Sequence, residues 1–199
     1  MRQFNRRIAI CVVCAAPLAV LAASARQVVS MALHSSAWKD GDRIPDQFTV
    51  EGSDVSPPLE WSDVPQGAKS LAIVCADPDV KRKGGWVHWV IWNIPVEATG
   101  LPEGLKRDRE LAAPAGARQG QTSWGKKRCG YFGPATPEGV GNHNYVFTLH
   151  ALDSVLDLKE GASAAELEKA MDGHVLATAK LVGTFSRGAT PPAPTSPAP

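Results

Sequence analysis

Four polar side chains of this sequence have types and settings suited to binding or acid–base chemistry. Asp77 ends one apolar run, His88 interrupts a second, and His143 and Tyr145 stand two residues apart at the start of a third. Such groups are costly to bury unless they find partners. One interpretation is that they converge on a small polar pocket, where two imidazoles and a phenol donate hydrogen bonds to an anion. The other, equally open, is that backbone groups satisfy each of them separately.

The same residue types also allow metal chemistry. Asp77, His88 and His143 have the ligand types of a two-histidine, one-carboxylate metal site, and a bound metal would supply hydrolytic or redox chemistry. The sequence contains no Gly-x-Ser-x-Gly elbow for a serine nucleophile. We therefore predict a binding protein that is not an enzyme and has no cofactor, with a metal-dependent enzyme as the alternative.

Three apolar runs have the lengths and residue types of strands that would hold these groups. Residues 71–76 and 86–94 are rich in β-formers. The second run is apolar on both alternating faces, which predicts a strand buried on both sides. Residues 143–151 alternate as a strand, so His143 and Tyr145 share one face.

One helix and one long loop are predicted between and after these strands. Ser163 and Glu166 form a capping box, which marks the start of a helix. Residues 174–180 are expected to extend or restart this helix before residues 181–186 return to β-structure. Glycines and prolines interrupt residues 98–128, which predicts a long loop.

The N-terminus has the features of a secretory signal peptide over residues 1–25. Three arginines precede a mostly apolar run at residues 8–22, and Ala23-Ser24-Ala25 is a small-x-small cleavage site. A membrane anchor is the alternative, but the run is shorter than the ~20 residues of a spanning helix and contains Pro17. We predict cleavage after Ala25, no stable membrane span afterwards, and a periplasmic or secreted location.

The rest of the chain divides into one domain and a tail. Residues 26–188 suit a single domain, and the Pro/Ala-rich residues 189–199 predict a disordered tail. Hydrophobic residues make up 44% and charged residues 21% of the chain, an ordinary globular composition. The formal net charge of +1 gives no electrostatic case for a nucleic-acid partner.

Six short segments occur in a characteristic order along this domain. They are residues 56–61 (SPPLEW), 77–79 (DPD), 85–89 (GWVHW), 131–134 (YFGP), 141–145 (GNHNY) and 181–185 (LVGTF). In order and spacing they closely resemble the phosphatidylethanolamine-binding protein family, in its bacterial Raf-kinase-inhibitor-like branch. Any one segment would be a weak signal, whereas six in order are a strong one.

The resemblance implies a fold and a site. The implied fold is α+β and mostly β, with a large central antiparallel or mixed sheet, a smaller sheet and peripheral helices. The implied site is a small anion pocket for phosphate-bearing or phospholipid-headgroup ligands, with residues 133–137 at its mouth. The positions carried over to it are Asp77, His88, Gly133, Pro134, Pro137, His143 and Tyr145.

Two positions depart from the family pattern. Asn144 stands where the family usually has an arginine, and Ala135-Thr136 stand where bacterial relatives often have Cys-Pro. By strand alternation residue 144 points away from His143. We therefore expect the pocket to be intact and only partner contacts that depend on the arginine to be affected.

The resemblance leaves further partners open. The family name suggests an inhibitor of another protein, which after export would be a protease or surface protein rather than a kinase. A homodimer also stays open. If the implied fold holds, Cys75 and Cys129 approach the same region, which predicts a disulfide closing a loop of about 54 residues. The alternative is a buried free Cys75 and an exposed Cys129.

Overall fold

Strands dominate residues 30–188, which are the part of the chain that the computed structural model describes. The strands are β1 (Ala32–His34), β2 (Leu59–Ser62), β3 (Ser70–Asp77), β4 (Trp86–Ile94), β5 (Gly100–Leu101), β6 (Arg118–Gln119), β7 (Gln121–Thr122), β8 (Gly125–Cys129), β9 (His143–Leu152) and β10 (Val175–Phe185). Within this range there is one α-helix, α1 (Ala164–Met171), and one 3₁₀ helix (Asp46–Phe48). The predicted α+β, mostly β fold is confirmed, with one α-helix in place of several. The predicted signal peptide and tail lie outside the described residues.

Two sheets and a hairpin make up the architecture. The central sheet has five antiparallel strands in the order β10-β9-β3-β4-β6. The smaller sheet has the order β1-β2-β5, and β7 pairs with β8. The predicted large and small sheets are therefore both present. None of the helices within residues 30–188 is long and apolar enough to cross a membrane.

Both faces of β4 are buried, as its sequence predicts. Trp89 and Ile91 contribute to the larger of two hydrophobic cores, whereas Val90 and Trp92 contribute to the smaller one. The smaller core is closed by α1, whose Leu167 is completely buried. Burial on two sides fixes the position of β4 firmly, which matters because its first residues reach the site described below.

A β-bulge in β4 decides where His88 points. The pairing with β3 runs through Trp89 and then Val87, so His88 is the extra residue. Simple alternation would place His88 on the same face as Val90. The bulge instead brings its ring to the side of Tyr145, with the ring centroids 4.9 Å apart, and such re-aiming is a recognised effect of bulges.

The prediction of a long loop over residues 98–128 is wrong, because this stretch contains three short strands, β5 to β7, and most of a fourth, β8. Each of them spans two to five residues, too short to show a period in a Gly/Pro-rich sequence. Hydrogen bonding to other strands holds these short segments in extended conformation. Trp124, at the turn between β7 and β8, is placed against the site in this way.

The C-terminal strand begins earlier than the sequence predicts. The capping box is confirmed: the Ser163 hydroxyl accepts from the Glu166 N–H, and the Glu166 carboxylate accepts from the Ser163 N–H. The helix ends at Met171, and Gly173 follows with φ of 76°. Residues 174–180 do not continue the helix, because pairing along β9 satisfies their backbone instead.

The predicted disulfide is wrong, since Cys75 and Cys129 are two separate buried thiols. Cys75 packs within the larger core, while Cys129 ends β8 opposite Gln121 of the hairpin. The alternative of an exposed Cys129 is also wrong, because only 5% of this residue is exposed. Burial raises the pKa of both thiols.

Candidate functional site

A cavity of about 210 Å³ lies where β3 ends and where β4 and β9 begin. Strand ends meet there because β3 runs antiparallel to both neighbours. The lining residues are Asp77, Val80, Trp86, His88, Trp124, Ala135, Thr136, Pro137, His143 and Tyr145. Five of the seven residues predicted for the pocket therefore meet at one cavity.

Asp77 orients His143. The carboxylate is buried, with 2% of the residue exposed, and its Oδ2 lies 2.7 Å from Nδ1 of His143. The other oxygen, Oδ1, accepts from the N–H of Asp79 at 2.8 Å. Nε2 of His143 is then the ring nitrogen left for a ligand, and it donates whenever the imidazole carries its second proton.

His88 faces the same cavity in a different protonation state. Its Nδ1 lies 2.7 Å from the Phe132 carbonyl oxygen and 3.1 Å from that of Gly133. Carbonyl oxygens only accept, so Nδ1 carries the proton. Burial lowers the pKa of His88 to about 4, although the two carbonyls and Asp77 act in the opposite direction. Near neutral pH the ring is uncharged, and its Nε2 is an acceptor rather than the donor that the sequence suggested.

Tyr145 contributes its ring rather than its hydroxyl to the cavity. Its Oη lies 2.7 Å from Oγ1 of Thr136, and Thr136 in turn donates to the Phe185 carbonyl oxygen at 3.3 Å. The Tyr145 hydroxyl therefore donates to Thr136. Donation from Tyr145 to an anion, as predicted from the sequence, would require this contact with Thr136 to break. Burial raises the pKa of Tyr145 to about 12, so the phenol stays protonated.

Gly133 and Pro134 lie behind the cavity wall rather than on it. A Cβ at Gly133 would overlap the Phe48 carbonyl oxygen, so the close approach of the two chains requires glycine. The Pro134 carbonyl oxygen accepts from the Val50 N–H at 3.1 Å. Of the predicted mouth, only Pro137 and its neighbours at 135–136 line the cavity. Gly133 acts on the site through the carbonyl that His88 contacts.

An ion pair supports the segment that holds His88. Asp54 Oδ1 accepts from the Gly133 N–H at 2.7 Å, and its Oδ2 lies 2.6 Å from Nη2 of Arg107. Nε of Arg107 donates to the Tyr131 carbonyl oxygen at 2.7 Å. Asp54 adopts a left-handed backbone conformation with φ of 53°. These contacts fix the backbone on both sides of Phe132 and with it the proton position on His88.

Two tryptophans that sequence reasoning did not assign to the site border the cavity. Trp86 and Trp124 meet edge to face with ring centroids 5.4 Å apart, and Trp124 lies 4.8 Å from the His88 ring. Both are half-buried. A tryptophan inside a polar, Gly-rich segment was the available signal for Trp124, because such a side chain needs an apolar neighbour.

The predicted metal trio does not assemble. Within residues 30–188, the acidic and histidine ligand atoms that come within 4.8 Å of one another here belong to Asp77, Asp79 and His143. His88 is not among them. Asp79 Oδ2 already accepts from the backbone and side-chain N–H groups of Asn144.

Comparison with known proteins identifies the family of this chain. A sequence model of the phosphatidylethanolamine-binding protein family matches residues 34–186. The chain belongs to the phosphatidylethanolamine-binding protein family. Among its relatives is a UPF0098 protein of Methanothermobacter thermautotrophicus, 49% identical over 158 residues that cover 79% of this chain and 100% of the relative. The UPF0098 protein YbhB of Escherichia coli is 40% identical over 162 residues, covering 78% and 100%.

Solved structures of family members share the fold. The homologue CT736 of Chlamydia trachomatis has a TM-score of 0.70 and 39% identity, with 79% of this chain and 98% of that one covered. YbcL of Escherichia coli, described as a member of the mammalian PEBP family, has a TM-score of 0.72, 31% identity and coverage of 79% and 99%. The resemblance seen in six short segments is confirmed at the level of family and fold.

The two departures from the family pattern have clear structural settings. Asn144 is exposed and bonds to Asp79 outside the cavity, as strand alternation predicts. Thr136, one of the two residues standing in place of Cys-Pro, holds the Tyr145 hydroxyl. The first change therefore leaves the cavity wall unaltered, whereas the second forms part of it.

Proposed function

We propose that the cavity binds a small phosphate-type anion and that the protein is an exported binding protein rather than an enzyme. The contact between Asp77 and His143 carries this proposal. The Asp77 carboxylate lies against Nδ1 of His143 and so fixes the direction in which Nε2 of the ring points. When the His143 ring carries both protons, its Nε2–H can form a charge-assisted hydrogen bond to an anion in the cavity, and such bonds are strong.

The uncharged state of His88 restricts the kinds of ligand that the cavity can bind. Its Nε2 accepts, so the ligand needs a hydrogen-bond donor close to its anionic oxygen. A singly protonated phosphate monoester supplies such a donor as P–OH, and a phosphoethanolamine headgroup supplies it as ammonium. Both ligands therefore offer an anionic phosphate oxygen to His143 and, beside it, a hydrogen-bond donor to His88.

Cavity size and hydroxyl contacts support binding rather than catalysis. A volume of about 210 Å³ lies below the ~300–1,000 Å³ of most small-molecule sites and suits a headgroup. Thr136 carries one of the two hydroxyls on the lining, and it already donates to a carbonyl. The other hydroxyl, on Tyr145, stays protonated. A nucleophile needs a base within hydrogen-bond reach, and neither hydroxyl contacts His88 or His143.

Titration calorimetry with inorganic phosphate and with phosphoethanolamine tests the binding proposal. His143→Gln should weaken binding ten-fold or more, because a charge-assisted hydrogen bond contributes about 1.5–3 kcal/mol. Asn144→Ala is the matched control on the same strand and should bind within two-fold of the wild type. Equal affinity of His143→Gln and wild type would overturn the proposal. N-terminal sequencing of the exported protein tests export: a chain starting at Arg26 is expected, and one starting at Met1 contradicts it.

A further inference from the structure

Three aromatic rings form a continuous surface beside the cavity. The ring centroids of Trp86 and Trp124 lie 5.4 Å apart, and that of Phe132 lies 5.7 Å from Trp124. Trp86 and Trp124 also line the cavity. Each of the three side chains is only half-buried, and an aromatic surface left partly exposed is typical of a binding surface. We call these three rings the aromatic platform.

The sequence that follows the last strand has the pattern of a polyproline II ligand. Residues 189–199 (ATPPAPTSPAP) lie outside the described residues, and five of these eleven residues are prolines. Pro191, Pro194 and Pro197 are spaced three residues apart. Because a polyproline II helix has three residues per turn, these three prolines would share one face of such a helix.

The last strand ends next to the cavity. Phe185, the final residue of β10, pairs with His143, which lines the cavity. The Phe185 carbonyl oxygen accepts from Thr136, another lining residue, at 3.3 Å. The three residues from there to Gly188 span at most about 11 Å, so residues 189–199 begin close to the cavity.

Short contacts lead from this point to the aromatic platform. Oγ1 of Thr136 lies 2.7 Å from the Tyr145 hydroxyl. The Tyr145 and His88 ring centroids lie 4.9 Å apart, and those of His88 and Trp124 lie 4.8 Å apart. Eleven residues in polyproline II form extend about 34 Å, at about 3.1 Å per residue. The segment after β10 is therefore long enough to reach the platform.

We propose that residues 189–199 dock on the aromatic platform as a polyproline II helix, with Pro191, Pro194 and Pro197 against the rings. Proline-rich segments with this spacing bind aromatic-lined grooves. Their conformation is largely set before binding, which reduces the entropy lost on docking.

The covalent link favours this segment over other proline-rich segments. A segment joined to its site by a short stretch of chain has an effective concentration in the millimolar range. Contacts too weak to hold a free peptide would therefore hold residues 189–199. A second copy of the chain or another protein has no such advantage, so the occupant of the platform is the chain's own segment.

Two sets of substitutions in the full chain test the docking. The face variant combines Pro191→Ser, Pro194→Ser and Pro197→Ser and removes the proposed docking face. The control variant combines Pro192→Ser and Pro199→Ser, which lie off that face. Both sets leave the strands, the helix and the cavity residues unchanged, so both proteins should fold like the wild type.

Proton–nitrogen NMR of the tryptophan indole groups measures the outcome. The Trp86 and Trp124 signals should shift from their wild-type positions in the face variant and stay in place in the control variant. Trp61 is buried and its Nε1 donates to the Ala98 carbonyl oxygen, so its signal should stay in place in both. A synthetic peptide of residues 189–199 added to the face variant should return the Trp86 and Trp124 signals towards the wild type, saturably and at millimolar concentration.

Three results would overturn the docking. They are unshifted Trp86 and Trp124 signals in the face variant, equal shifts in the face and control variants, and a peptide that leaves both signals unmoved. A difference between wild type and face variant that appears only at high protein concentration would also overturn it, in favour of docking between two copies. None of these measurements uses phosphate, so their outcome is independent of the proposed function.

Discussion

Asp77 and His143 form the contact on which the site depends, with Oδ2 and Nδ1 2.7 Å apart and only 2% of Asp77 exposed. Asp77→Asn keeps the shape of the side chain but removes the negative charge beside Nδ1 of His143. We expect phosphate affinity to fall ten-fold or more at neutral pH, since a charge-assisted bond of about 1.5–3 kcal/mol is weakened. Calorimetry on Asp77→Asn measures this, with Asp79→Asn as the neighbouring control. Unchanged affinity in Asp77→Asn would show that the carboxylate has no such role.

His88 should make the fold sensitive to mild acid. An unfolded histidine takes up its proton near pH 6.5, whereas folded His88 does so only near pH 4. The stabilisation is therefore complete above pH 6.5 and is lost as the pH falls towards 4, by about 3 kcal/mol in total. Urea unfolding over this range measures it. His88→Gln should lack this part of the acid sensitivity, and equal pH slopes in the two proteins would contradict the neutral state of His88.

Asp54 should stabilise the protein mainly by accepting the hydrogen bond from the Gly133 N–H. Asp54→Ala leaves the Gly133 N–H without its partner and should lower the free energy of unfolding by about 1–3 kcal/mol. Asp54→Asn keeps an acceptor oxygen and tolerates the left-handed φ of 53°. The decrease in the free energy of unfolding should therefore be clearly smaller for Asp54→Asn than for Asp54→Ala. Equal losses in urea unfolding would mean that the ion pair with Arg107, rather than the backbone contact, is the main contribution.

The Thr136–Tyr145 contact should matter for stability and little for binding. Thr136→Val leaves the buried Tyr145 hydroxyl without an acceptor, which should cost about 1–3 kcal/mol. Adding Tyr145→Phe should recover part of this loss, as a double-mutant cycle would reveal. Phosphate affinity should stay within two-fold in Tyr145→Phe. Loss of binding in that variant would reinstate the phenol as a ligand donor.

Strand periodicity alone was enough to place His143 and Tyr145 together. Because β9 is regular from its first residue, alternation holds, and Asp77 follows from the end of β3. His88 is different, since alternation puts it on the opposite face and only the bulge in β4 turns it towards the cavity. A bulge depends on pairing with β3, which no local pattern of β4 encodes.

The proton positions and hydrogen-bonding roles in the site were less predictable from the sequence than the identity of the residues that line it. The proton on His88 is placed by carbonyls 44 and 45 residues away, and these are held by Asp54 and Arg107 from two further segments. Trp124 comes from a hairpin with strands too short to show a period. Contacts of this kind arise from tertiary packing, so residue types alone suggested two donating histidines, whereas Nε2 of His88 is an acceptor in the fold.

Nitrogen-15 NMR of the histidine rings during titration with inorganic phosphate tests the central claim most directly. We expect His88 to stay in the Nδ1–H form at neutral pH, and we expect phosphate to shift Nε2 of both His88 and His143 saturably. His150, whose ring lies outside the cavity, is the internal control and should not move. Phosphate binding that leaves the ring nitrogens of His88 and His143 unshifted would contradict the account.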